Sequence, residues 1–167
     1  MPVKFTETEY RALAELRYRI GRFLQEGDVT AQQAGLEPRQ YLLLLAVRGL
    51  PEGEEASIRT LAERLSLRHH STVELIDRME ARGYLKRTRG KRDRRQVLVS
   101  LQLRGERLLE KVVKQRIIEL RSNGRALVAA ISALLESRKN SSGAGIRRRR
   151  EAAGKSRKMT AAKRAGH

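Results

Sequence analysis

The sequence predicts a mainly α-helical fold with a two-stranded β wing, on three observations. Apolar residues recur at helical spacing in long runs, alternating extended runs are confined to the stretch after Gly83, and six aromatics with no Trp argue against a large β-sandwich. The stretch 57–101 organises the rest. Ile58, Leu61, Ala62 and Leu65 stand at i, i+3, i+4 and i+7, with Ser57 as the N-cap. After a turn at Ser66 and Leu67, a second helix is predicted from Arg68 to Arg82, stopped by Gly83. Stepping it at about 100° per residue puts Thr72, Val73, Leu75, Ile76 and Met79 on one face, and His70, Ser71, Glu74, Asp77 and Arg78 opposite. Tyr84 to Thr88 and Arg94 to Leu101 form the extended runs, with Val97, Val99 and Leu101 alternating inward. Two helices followed by a basic hairpin make a winged helix-turn-helix, with a core over about 38–101.

The remaining elements follow in chain order. Thr6 and Glu9 have the form of a capping box, opening a first helix from Thr8 to Gln25 and somewhat beyond, which Gly27 and Asp28 loosen. Gly35 and Leu36 break it. Pro38 restarts a helix at an N1-like position, and Tyr41 to Val47, apolar nearly all round, predicts that this helix is buried. After the wing, Leu108, Leu109, Val112, Val113, Ile117, Ile118 and Leu120 predict a helix to Arg121. Asn123-Gly124 reads as a stop, and Ala126 to Leu135 as a sixth helix. The first and last two helices carry more apolar residues than a small winged domain needs to cover itself, so they are read as terminal dimerisation helices with a second copy of the chain as their partner. Residues 1–137 form this domain, and residues 138–167 are a basic, low-complexity tail expected to be disordered when free.

The net charge of +18, at a pI near 11.3, calls for a polyanionic partner. Basic and acidic residues number 7 and 9 over residues 1–56, 12 and 5 over 57–100, 7 and 4 over 101–137, and 11 and 1 over 138–167. The excess lies on the helix-turn-helix, the wing and the tail. Cysteine is absent, which excludes disulfides, a thiolate zinc site and sensing by thiol oxidation. No window has the apolar length of a signal peptide or a membrane span, so a cytoplasmic, nucleoid-associated protein is expected, with no membrane partner.

On double-stranded DNA the second helix of such a motif enters the major groove with its N-terminal residues against base edges. Here His69, His70, Ser71 and Glu74 are the candidate base readers, Glu74 suiting a cytosine amino group, with Arg68 and Arg78 on phosphates. Between Lys86 and Arg95 stand seven basic residues and one acid, Asp93. Lys91, Arg92 and Arg94 are the candidate minor-groove probes, while Asp93 can pair with Arg95 and hold the turn. His69 and His70 are neighbours on a helix and do not face each other, and the third histidine is His167, so no metal and no cofactor are expected. Asp77 and Glu80, beside Arg78 and Arg82, read as a salt-bridged helix surface. No nucleophile, base and orienting residue occur together, so the chain is not read as an enzyme.

LAERL, DRMEARG and DRRQVLVSL in this order, with GLEPRQYLLLLAVRG upstream and RGERLLEK downstream, resemble the MarR family of transcriptional regulators over roughly residues 5–137. Asp93 and Arg95 match that family's Asp-x-Arg wing. Gln102-Leu103 depart from the Thr-Pro that often opens the next helix there, and RHHST departs from the family's Ser and Pro at the start of the recognition helix. The resemblance implies a homodimer with intertwined terminal helices, a near-palindromic operator, a repressor, and release by a small aromatic effector near Arg17 and Tyr41. The competing reading is an architectural, nucleoid-associated protein in which the basic tail dominates. An RNA-binding role is disfavoured because RNA's deep, narrow major groove excludes a helix.

Overall fold

The computed structural model describes residues 5–90 and 95–164, the last of these, from 137 on, without their side chains. Its elements are α1 (Glu7–Gln33), α2 (Pro38–Arg48), α3 (Ile58–Leu65), α4 (His69–Ala81), β1 (Leu85–Arg89), β2 (Val97–Leu101) and α5 (Leu103–Arg164). They gather into two compact units, residues 1–22 with 123–167, and residues 23–122. The expected probes Lys91, Arg92 and Arg94, and Asp93 of the expected Asp93–Arg95 pair, lie outside the described residues. So do the side chains of the tail 138–167.

α1 opens with the reciprocal box expected at Thr6. The Glu9 amide donates to Thr6 Oγ1 at 3.2 Å, and the Thr6 amide donates to Glu9 Oε2 at 2.7 Å. The helix runs past Gln25 without loosening at Gly27, because Gly27, Thr30 and Ala31 are all buried. Tertiary packing there outweighs the roughly 1 kcal/mol that glycine costs a helix. α2 starts at Pro38, with the Glu37 amide donating to Gln40 Oε1 at 3.1 Å. Its apolar run predicted burial all round, yet Leu43 and Leu44 are buried while Leu42 and Leu45 stay 45% and 37% exposed. One side of α2 packs on α3 and β2; the other side stays open.

Ser57 caps α3 as expected, accepting from the Thr60 amide at 3.1 Å. Ser66 ends the helix in the left-handed region at φ 52°, and the Leu67 amide donates to the Ala62 carbonyl at 3.0 Å, which closes the turn. α4 buries Thr72, Leu75, Ile76 and Met79 of the face that the helical stepping selected, and leaves Val73 at its edge half-buried. β1 and β2 pair antiparallel, with Leu85 opposite Leu101 and Arg87 opposite Val99. The Val99 amide donates to the Ala56 carbonyl at 2.9 Å, tying the loop before α3 to the wing.

α5 starts where the sequence offered only Gln102-Leu103. Its boundary is set by the sheet: the Gln102 amide donates to the Tyr84 carbonyl at 2.9 Å, and Gln102 Nε2 donates to the Leu85 carbonyl at 2.7 Å. Asn123-Gly124 does not stop the helix, so the expected fifth and sixth helices are one. Arg, Ala and Leu on both sides are strong helix formers and offset the local penalty. The buried stripe also differs from the expected one. Leu109, Val112 and Arg116 point inward, whereas Ile117, Ile118 and Leu120 are exposed.

At Gly105 a Cβ would stand 2.3 Å from the Tyr84 carbonyl oxygen, a backbone atom that cannot step aside. Gly105→Ala is therefore expected to cost about 1–3 kcal/mol of stability. Gly21→Ala, on a helical surface with nothing within 4 Å, is expected to add up to about 1 kcal/mol. Denaturant midpoints at constant slope would check both.

Candidate nucleic-acid interface

The outer face of α4 follows from its inner face. Burial of Thr72, Leu75, Ile76 and Met79 leaves Arg68, His69, His70, Glu74 and Arg78 exposed, with Ser71 half-buried. Among the described residues none of these six side chains forms an ion pair or a side-chain hydrogen bond. The N-cap position is held by Arg68, whose side chain caps nothing. The first turn of α4 therefore presents unpartnered amides and basic side chains together, an arrangement that suits phosphate and base edges. The only polar group of the inner face, Thr72, is satisfied locally, its hydroxyl donating to the Arg68 carbonyl at 3.1 Å.

Asp77 and Glu80 form a salt-bridged surface as expected, but with a different partner. Arg87 on β1 donates through Nη2 to Asp77 Oδ1 at 2.6 Å and through Nη1 to Glu80 Oε2. Its amide donates to Glu80 Oε1 at 2.9 Å, and Nη2 also reaches the Val73 carbonyl at 3.4 Å. Burial would lower the Arg87 pKa, and the two carboxylates more than reverse this and raise it. Of the wing cations counted in the sequence, Arg87 thus faces α4. Lys86 and Thr88, on the other side of β1, are exposed.

A second cluster lies between α1 and α5 and has no counterpart in the sequence reading. Arg116, 8% exposed, donates through Nη2 to the Phe23 carbonyl at 2.9 Å, lies 4.5 Å from the centroid of the Phe23 ring, and pairs through Nη1 with Glu119. Thr30 Oγ1 donates to Glu119 Oε1 at 3.1 Å, and Gln115 Nε2 to the same oxygen at 3.0 Å. A Cβ on Gly27 would sit 3.3 Å from Arg116 Nε, so the glycine makes room for the guanidinium. The signal available beforehand was an arginine in register with Leu109 and Val112 on one helix and a glycine inside another. Tyr41 is buried in the same unit, and burial raises its pKa, with Arg116 acting to lower it and Glu119 to raise it. Arg17, the other residue expected near an effector, is an exposed residue of the unit formed by 1–22 and 123–167. A groove of about 360 Å³ beside Glu119 is lined by Thr30, Gln33, Lys111, Lys114 and Gln115, among others. Among the described residues no three His, Asp or Glu side chains gather to hold a metal ion, and no helix is long and apolar enough to cross a membrane.

A helix with a free basic end, backed by a second helix and followed by a paired wing, defines a DNA-binding protein of the winged helix-turn-helix class. Residues 34–96 match the model of the MarR family, so the helix-turn-helix and wing of this chain are similar to those of MarR-family regulators. The chain is 29% identical over 101 residues to the HTH-type transcriptional regulator YsmB of Bacillus subtilis, covering 60% of this chain and 67% of that protein. The fold is similar to AbsC, a MarR-family regulator of Streptomyces coelicolor, with a TM-score of 0.63 and 20% identity, over 85% of this chain and 99% of that one. It is also similar to Bordetella bronchiseptica BpsR, whose DNA binding is regulated by 6-hydroxynicotinic acid, with a TM-score of 0.55 and 24% identity, over 83% and 98% of the two chains.

The Glu119 cluster carries a pH dependence. Burial acts to raise the Glu119 carboxyl, but hydrogen bonds from Gln115, Arg116 and Thr30 and the Arg116 charge hold it below its ordinary value of 4.5. A carboxylate with a depressed folded-state pKa contributes stability above its unfolded value and loses it as pH falls through the folded one. Thermal unfolding followed from pH 7 to pH 3 is expected to show a shallower acid decline in Glu119→Gln than in the wild type. An identical decline would remove Glu119 from the acid response.

Proposed function

We propose that the chain is a repressor that binds a near-palindromic operator as a homodimer and acts by binding rather than catalysis. The observation that carries this reading is the unpartnered, basic N-terminal face of α4 over a fully buried inner face. His69, His70, Ser71 and Glu74 read bases, Arg68 and Arg78 hold phosphates, and the wing tip, with Lys91, Arg92 and Arg94 around a turn held by Asp93 and Arg95, probes the adjacent minor groove. Dimerisation is supported by the exposed apolar residues of the terminal helices, Tyr10, Leu13 and Tyr18 on α1 and Val128, Ile131 and Leu135 on α5. Two recognition helices related by a two-fold axis would then meet successive major grooves about 34 Å apart.

Release by a small aromatic acid is proposed by similarity to BpsR, whose DNA binding responds to 6-hydroxynicotinic acid. Arg17 and Tyr41 are the residues proposed to meet such a ligand. The protein is proposed to act in the cytoplasm, on the nucleoid.

Selection of bound fragments from a random duplex pool at physiological salt tests the reading. A two-fold consensus supports it, and a pool without enrichment overturns it in favour of an architectural role. With the consensus in hand, Glu74→Gln is expected to relax discrimination at one base position per half-site by about 1–3 kcal/mol. The tail, with 11 basic residues and 1 acid, is expected to touch phosphates without reading bases. If about five of its cations engage, truncation after Ser137 lowers the slope of log K against log salt by about four to five per chain, while the operator-to-random ratio survives.

A further inference from the structure

We propose that Arg87 is a positioning residue for DNA reading, fastening wing strand β1 to α4 so that both meet the duplex as one body. This rests on the reading of α4 and the wing given above, and its geometry comes from a single side chain that bridges two elements. Arg87 reaches three points on α4, the Val73 carbonyl and the Asp77 and Glu80 carboxylates, and its own amide makes a further bond to Glu80. Residues 73, 77 and 80 are spaced by four and three, so they line one stripe of the helix along two turns. A planar fork can serve such a stripe at several points at once, and a lysine ammonium cannot.

The register explains why an arginine in a DNA-binding wing turns inward. Arg87 stands opposite buried Val99 and shares its side of β1 with buried Leu85. Its side chain is 25% exposed, against 56% for Asp77 and 36% for Glu80. Without Arg87, two carboxylates would face a polyanion uncompensated, so geometry and electrostatics must be separated by the choice of variants.

Arg87→Lys keeps the charge and loses the fork. Arg87→Ala combined with Asp77→Asn and Glu80→Gln removes the fork and all three charges, leaving the cluster less repulsive to DNA than the wild type. Full-length proteins would be titrated against the enriched fragment and a scrambled duplex across a salt series. In parallel, hydrogen exchange would be followed on the free proteins. Both variants are expected to lose about tenfold in affinity for the enriched fragment and less than about twofold for the scrambled one. The salt slope should be unchanged, because a lost phosphate contact would lower it by about 0.9. Amides of residues 85–89 and 97–101 should exchange faster while those of α3 do not. A triple variant that keeps the wild-type ratio reduces Arg87 to charge compensation and overturns the proposal, as does a slope lowered by about 0.9 per chain. If the wild type itself shows no site preference, the reading of α4 as a base reader fails; exchange then decides the clamp, which unchanged wing amides would overturn.

Discussion

Burial of the inner face of α4 is the constraint on which the rest of the structure depends. Leu75, Ile76 and Met79 are packed against the core, and Thr72 closes its own hydroxyl onto the helix, so the stripe carries no polar demand. Each large apolar side chain removed from water contributes about 1.5–3 kcal/mol before entropy is counted. That burial fixes the rotation of α4 about its axis. A helix so fixed can leave Arg68, His69, His70 and Glu74 without partners in the protein, since nothing about the fold requires them. Their freedom is what makes them available to a nucleic acid.

Two arginines extend this constraint outward. Arg87 ties the wing to α4 through neighbouring carboxylates, and Arg116 ties α5 to α1 through a main-chain carbonyl, a ring face and Glu119. The two differ in what surrounds them. Arg87 remains partly wet, so its pairing is worth modest energy and mainly sets geometry. Arg116 is almost fully enclosed, and removing any one partner leaves a buried charge poorly served, which is the costly case. Gly27 belongs to that enclosure because a Cβ there would stand 3.3 Å from Arg116 Nε, close enough to press on the guanidinium.

Much of the fold was legible in the sequence because it is local. The caps at Thr6 and Ser57 and the inward face of α4 involve residues within a few positions of one another, whereas the expected alternation of Val97, Val99 and Leu101 shows only at Val99, the one buried residue of β2. What escaped is long-range. The Arg87 and Asp77 pair spans 10 positions and the Arg116 bond to Phe23 spans 93, and no periodicity reports on either. Asn123-Gly124 misled for a related reason: stop signals are weak where strong helix formers flank them. The outer residues of α4 were legible as a set, since amphipathic stepping needs only the chain itself. The partner of Asp77 and Glu80 was not, although Leu85-x-Arg87 already put an arginine on the inward side of a strand.

The distinction between charge carried and charge displayed follows from Arg87. Seven cations between Lys86 and Arg95 suggest a wing that meets DNA by attraction alone. One of them is turned to α4 and neutralised by two acids of that helix, so the wing's field is weaker than its composition implies and its geometry is better defined. Attraction to phosphate is insensitive to sequence, and a fixed angle between helix and wing is not. A protein that uses an arginine to hold that angle gives up part of its general affinity for DNA in exchange for discrimination. That exchange favours a regulator over a packaging protein, which would gain nothing from it.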